Sequence, residues 1–167
     1  MNKISVSILD CDFNNIEYEI KRINKSNVDL IHIDVMDGVF VKRNTYELFD
    51  MKTISSLSNK KLDIHLMVDN PETIIDNYIL DETDFIAIHV ESNCDHFKIF
   101  NKLKSNKIKT GIAINPDTDL TIIEKYLDYL DMILVMSVYP GKGGQNFIPD
   151  TIDRLIFLKK LIIKKSK

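Results

Sequence analysis

Short apolar, β-branched runs alternate along this chain with longer stretches whose apolar residues recur every three to four positions. The runs at 4–9, 30–35, 62–67, 85–90, 110–114 and 132–138 read as strands. The stretches at 14–24, 46–57, 71–80, 96–104, 120–127 and 149–163 read as amphipathic helices. Start signals support two of them: Asn70 precedes Pro71 and Glu72, and Asp119 precedes the Leu120 run. Six βα units in succession predict a parallel sheet. No linker or low-complexity segment interrupts them, so residues 1–167 are expected to form a single domain.

The repeat averages about 28 residues, and a closed (β/α)8 barrel at that rate needs roughly 220. The expected fold is therefore α/β, of TIM-barrel type and incomplete, with about six βα units. An open doubly wound sheet is the alternative, but that fold carries a glycine-rich turn after its first strand. Here the first strand leads into Asp10-Cys11-Asp12-Phe13, without glycine.

Candidate chemistry sharpens the picture. Side chains two apart on a strand share a face, so His32 and Asp34 project together. If 62–67 is the next parallel strand, His65 reaches the same point. Two imidazoles and a carboxylate form a common divalent-metal triad. The strand then runs into Asp37-Gly38, the kind of strand end where α/β enzymes place their chemistry. Either histidine alone reads better as a hydrogen-bonded core residue than as a ligand. Convergence on Asp34 favours a site, because an unpaired buried carboxylate is costly. Asp37 reads as a turn former. His89 and Glu91 fit either a supporting role behind the triad or plain packing, and Cys94 and His96 read as surface or helix-start residues.

Composition excludes little more. The chain is 44% hydrophobic and 28% charged with a net charge of -3, an ordinary balance for a globular domain. Mild acidity argues against nucleic acid as a partner. Lysines 159, 160, 164, 165 and 167 form the one basic cluster, expected to be a solvated helix end. Cys11 and Cys94 lie far apart and form no disulfide framework, which suits a reduced, cytoplasmic setting. No leader-like segment and no apolar run approaching about 18 residues is present, so no membrane partner is expected.

Several motifs together resemble the ribulose-phosphate 3-epimerase family over essentially all 167 residues. They are Ile4 to Leu9 with Asp12-Phe13; His32 to Gly38 with Phe40-Val41; Asp63 to Met67 with Asn70-Pro71-Glu72; His89-Val90-Glu91; Gly111 to Pro116; and Met136 to Phe147. The resemblance implies a TIM barrel that epimerises C3 of D-ribulose 5-phosphate to D-xylulose 5-phosphate through an enediolate, commonly with a bound divalent metal. It makes His32, Asp34 and His65 metal ligands and Asp34 one of two acid/base carboxylates. Ser7 would hydrogen-bond the substrate near the reacting oxygens, His65 would also border it, and Met36, Met67 and Met136 would line the centre. The loop Gly141-Lys142-Gly143-Gly144 would close on the substrate and help hold its phosphate. His and Asp ligands suit Fe2+, Mn2+, Co2+ or Zn2+.

The resemblance also implies a seventh strand with the second aspartate and an eighth with a phosphate-binding Gly-Ser pair, whereas this sequence ends in the helix after strand six. Greatly reduced activity of the isolated chain is expected on that ground. The alternative is a catalytically inactive barrel fragment with weak metal or sugar-phosphate binding. Strands one and six would be open edges, which predicts a homo-oligomer or self-association. Val6 stands at a usual proline, Lys42-Arg43-Asn44 at a usual Pro-Asn, and Lys142 at an apolar or small residue. Epimerases of ketohexose 6-phosphates share much of the pattern and remain an alternative. Hexulose-phosphate synthases and orotidine-phosphate decarboxylases resemble a third strand with Asp-x-Lys; His65 at that lysine position argues against them.

Overall fold

The structure is a computed structural model that describes residues 2–46, 48 and 50–165. Six strands form one parallel sheet in simple sequential order: β1 (Ser5–Ser7), β2 (Leu30–Met36), β3 (Lys61–Met67), β4 (Thr83–His89), β5 (Lys109–Ile114) and β6 (Met132–Val135). Between and after them lie α1 (Ile16–Asn24), α2 (Met51–Leu57), α3 (His96–Ser105) and α4 (Thr151–Lys165).

Strand alternation sorts the side chains onto two faces. Ile31, Ile33, Val35, Leu62, Ile64, Leu66, Ile86 and Ile88 are fully buried on the outer face. Ile20, Ile54, Ile99 and Leu158, one from each α-helix, join them in a single apolar cluster. Helices therefore cover one face of the sheet. That arrangement, with strand order that never reverses, is the TIM-barrel type and not the doubly wound alternative. The inner face carries Ser5, Ser7, His32, Asp34, Asp63, His65 and His89 instead. Leu9, Met36 and Met67 close its upper end against Phe40 and Val41.

Helical stretches deviate more from expectation than strands. The stretch 71–80 forms two 3-10 segments, Pro71–Thr73 and Ile75–Tyr78, and 120–127 lies in a third, Leu120–Tyr129. The run Thr73-Ile74-Ile75 is β-branched, which disfavours a continuous α-helix there. Within 46–57, α2 starts only at Met51, because Asp50 caps it by accepting from the backbone N–H groups of Lys52 and Thr53. Glu47 and Phe49 of that stretch, and Ser166 and Lys167 of the basic tail, lie outside the described residues. Asp95 and Asp119 cap their segments in the same way, on Lys98 and Thr121.

One loop residue fixes β2 from the side. Thr45 is fully buried; its hydroxyl donates to the Asp34 carbonyl at 2.9 Å and accepts from the Met36 N–H at 2.9 Å. Thr45→Val keeps the shape and removes both bonds, leaving two buried backbone groups unpaired. It is expected to cost about 1–3 kcal/mol, measured as a lowered urea midpoint with an unchanged slope.

Candidate metal centre and active site

The C-terminal halves of β2 and β3 bring the triad together. Register pairs Asp34 with His65 and His32 with Asp63, placing all four on the inner face. Oδ1 of Asp34 lies 3.2 Å from His32 Nε2 and 3.1 Å from His65 Nδ1. Ser7 on β1 donates to the other oxygen, Oδ2, at 2.7 Å. His32, Asp34 and His65 thus offer three ligand atoms within 4.8 Å of one another.

The donor set fits a divalent ion. Separations near 3 Å are those of neighbouring ligands bonded to one ion at about 2.0–2.2 Å. A second carboxylate aims one imidazole: Asp63 Oδ2 sits 2.8 Å from His32 Nδ1 and also accepts from Ser5 Oγ at 2.9 Å. With Nδ1–H donated to Asp63, Nε2 of His32 is the nitrogen left to face Asp34 and a cation, the carboxylate–histidine–metal pattern.

Electrostatics follow from the same contacts. Burial pushes the His32 imidazole down, but hydrogen bonds to Asp34 and Asp63 outweigh it and bring it up to about 10. Burial pushes Asp34 up, but His32 and His65 outweigh that and hold it well below the usual carboxylate range. His65 is deeper, and there burial prevails over the Asp34 bond, bringing it down to about 4. Without an ion the triad therefore contains an ionised carboxylate, a protonated His32 and a neutral His65, and a bound cation would displace the Nε2 proton of His32.

Behind His65 the polar chain continues. His65 Nε2 lies 2.8 Å from His89 Nε2, and His89 Nδ1 lies 3.1 Å from Glu91 Oε2. Glu91 Oε1 accepts from the Asn115 N–H at 2.9 Å and from the Thr118 hydroxyl at 2.5 Å. Burial raises the Glu91 carboxyl, but His89, Thr118 and Asn115 outweigh it and hold it at about 2. A depressed carboxylate stabilises the fold above its unfolded-state value near 4.5 and loses that contribution as pH falls through about 2. Glu91→Gln removes the titrating group. Urea midpoints measured from pH 5 to pH 2 are therefore expected to fall less steeply for the variant than for the native chain.

Met36, Met67 and Met136 line a cavity of about 250 Å³ with Ser7, Asp34 and the Tyr139–Gly143 loop. Gln145 holds that loop by donating to the carbonyls of Tyr139 and Lys142, and the Tyr139 hydroxyl donates to Asp117 at 2.9 Å. Gly141 adopts φ +112°, a conformation that other residues rarely take. Lys142, Gly143 and Gly144 are exposed. Asp37 forms the turn, its Oδ1 accepting from Val39 and Phe40 and its Oδ2 from Asp69, each at 2.7–2.8 Å.

Three participants were not singled out in the sequence. Asp63 and Ser5 obey the same two-residue alternation that exposed Asp34, so the signal was present. Thr45 carried none, because a bridge between Asp37 and Asn44 folds its loop back. His96 begins α3 as expected but is buried, not at the surface, with Nε2 3.0 Å from the His89 carbonyl. Cys94 and Cys11 are free thiols. Burial pushes the Cys94 thiol up to about 12, so it is un-ionised at neutral pH. Among the described residues no helix is long and apolar enough to cross a membrane.

A curled parallel sheet of TIM-barrel type, with a His-Asp-His cluster at its strand ends that can hold a metal ion, defines an α/β-barrel enzyme class. Within that class, the Ribulose-phosphate 3 epimerase family matches residues 3–167, and the chain belongs to this family. It is 35% identical over 168 residues to the ribulose-phosphate 3-epimerase of Bacillus subtilis (strain 168), covering 100% of this chain and 77% of the relative. The Synechocystis sp. enzyme of the same name is 37% identical over 160 residues, covering 95% and 70%. The Methanocaldococcus jannaschii one is 37% identical over 166 residues, covering 99% and 70%.

Proposed function

We propose that this chain carries the metal-assisted chemistry of a ribulose-phosphate 3-epimerase, with Asp34 removing the C3 proton of D-ribulose 5-phosphate to give an enediolate. The observation that carries the reading is the meeting of His32 Nε2 and His65 Nδ1 on one oxygen of Asp34, the triad member that lines the methionine-walled cavity. Relatives with that name, matched over nearly the whole chain, support it.

The two oxygens of Asp34 divide the work. Oδ1 faces both imidazoles and would serve as ligand. Among the described residues Oδ2 is bonded to the Ser7 hydroxyl alone, and Asp34 and Ser7 both line the cavity, so Oδ2 is assigned the C3 proton, which is acidified by the neighbouring C2 carbonyl. A bound divalent ion, of the Fe2+, Mn2+, Co2+ or Zn2+ kind that His and Asp ligands accept, would act as a Lewis acid toward the substrate oxygens. Ser7, released from Asp34 as the carboxylate is protonated, can donate to a substrate oxygen. Met36, Met67 and Met136 exclude water from the reacting carbon. The Gly141–Gly144 loop offers backbone N–H groups to the phosphate.

The test is C3 proton exchange in D2O, followed by NMR after loading with each of the four metals. D-ribulose 5-phosphate and a ketohexose 6-phosphate are compared. Metal-dependent deuterium uptake at C3, faster with the pentose, is the expected result. No uptake with any metal overturns the reading, and faster uptake with the hexose reassigns the substrate.

A further inference from the structure

We propose that the side chains of Lys42, Arg43 and Lys142 form a cationic site that grips the phosphate group of the sugar phosphate beside the catalytic cavity. The proposal rests on the epimerase reading for the identity of its ligand, but it concerns side chains that the metal centre does not use.

The loops after β2 and β6 touch. Gly141 packs directly on Val41, so that a β-carbon at Gly141 would lie 3.2 Å from that of Val41. The next residue in each loop is a lysine, and Lys42 and Lys142 border the same cavity of about 460 Å³, together with Arg43. Among the described residues no acidic side chain lines that cavity, and neither ammonium has an ion-pair or hydrogen-bond partner. Arg43 is anchored, donating to the Leu9 carbonyl at 3.1 Å and to Asp10 Oδ1 at 3.4 Å, which leaves further N–H groups of its guanidinium to donate. Asp10 thus offsets part of one charge, and the cavity wall stays positive in a chain whose net charge is -3. Like charges gathered in this way raise one another's energy, and a bound anion relieves it. A phosphate monoester carries about two negative charges at neutral pH and accepts from lysine and arginine alike.

Position ties this wall to the reaction. Residues 139–142 line both this cavity and the methionine-walled cavity that Asp34 lines. Lys142 borders both, so a ketopentose with its C3 at Asp34 can present its terminal phosphate to Lys142. Gln145 donates to the carbonyls of Tyr139 and Lys142 at 2.6 and 2.9 Å, which fixes the point at which the Lys142 side chain leaves the loop. The glycine N–H groups of that loop are neutral donors, and the lysines add the charge. A grip on the unreacting end of the substrate is equally strong before and during proton removal, so it lowers KM and leaves kcat alone.

The experiment titrates inorganic phosphate against the metal-free native chain, followed by 31P NMR. Binding is expected, and Lys42→Met and Lys142→Met are each expected to weaken it about tenfold, the worth of one hydrogen bond to a charged group. Lys104→Met removes the same charge from an exposed position on α3 outside the cavity and is expected to change nothing. D-Ribulose 5-phosphate is expected to displace the bound phosphate, whereas D-ribulose is not. No phosphate binding, binding that neither cavity variant weakens, equal weakening by Lys104→Met, or phosphate that the sugar phosphate fails to displace each overturns the proposal. None of these readouts needs turnover. A chain that meets them but shows no C3 exchange keeps the phosphate site and loses the epimerase reading. In a chain that does exchange, Lys142→Met is expected to raise KM for D-ribulose 5-phosphate about tenfold at unchanged kcat, and a native KM removes the site while the epimerase reading stands.

Discussion

Asp34→Asn is expected to reduce metal-dependent C3 exchange by about 10,000-fold or more, with kcat carrying most of the loss. A positioned general base alone contributes about 100- to 10,000-fold, and this carboxylate is also the shared partner of both imidazoles. The amide can keep the Ser7 contact through its oxygen, but its NH2 group cannot accept a proton. Neither orientation supplies a base, because a neutral amide oxygen does not hold the proton; with its NH2 toward the histidines the side chain opposes the ligand site as well. His32 meanwhile loses one of the two anionic partners that raise it and keeps only Asp63. Measuring zinc affinity beside the exchange rate separates the two roles. Retained binding with lost exchange assigns the effect to proton abstraction, and an exchange rate within tenfold of the native chain rules Asp34 out as the base.

The type and order of the strands could be read from the sequence because burial on a helix-covered face demands continuous apolar, β-branched runs on alternate positions. Ile31, Ile33 and Val35 and their counterparts in β3 and β4 supply them. The same alternation exposed the triad, since polar residues interleaved with such a run must be paired on the other face. Helical segments were less legible. A 3-10 and an α-helical stretch share much of their apolar spacing, so Leu120–Tyr129 looked α-helical although its backbone is wound more tightly. Thr45 and the buried position of His96 depend on how a loop and a helix start dock, which no periodicity encodes. Asp63 is legible in the same alternation, two residues before His65 on one strand.

Phe100→Ala is expected to destabilise the chain by about 3–5 kcal/mol while leaving the triad geometry intact. Phe100 is 1% exposed on α3 and belongs to the apolar cluster between helices and sheet, on the opposite side of the sheet from Asp34. Its ring meets Tyr126 edge-on at 5.7 Å and lies 6.1 Å from His96, so truncation removes aromatic contacts as well as leaving a cavity. Rigid rings border it, His96, Tyr126 and Tyr129, with few rotamers that could collapse into the space. For a domain of this size the loss corresponds to a melting temperature lower by roughly 10 °C, at about 2–4 °C per kcal/mol, and consumes a large share of a typical 5–15 kcal/mol. The His96 contact gives the prediction its edge, because His96 in turn holds the carbonyl of His89. If α3 merely seats the sheet, zinc affinity measured well below the melting temperature is unchanged. A drop in affinity of tenfold or more in still-folded Phe100→Ala protein would show instead that helix packing reaches the site through His96 and His89.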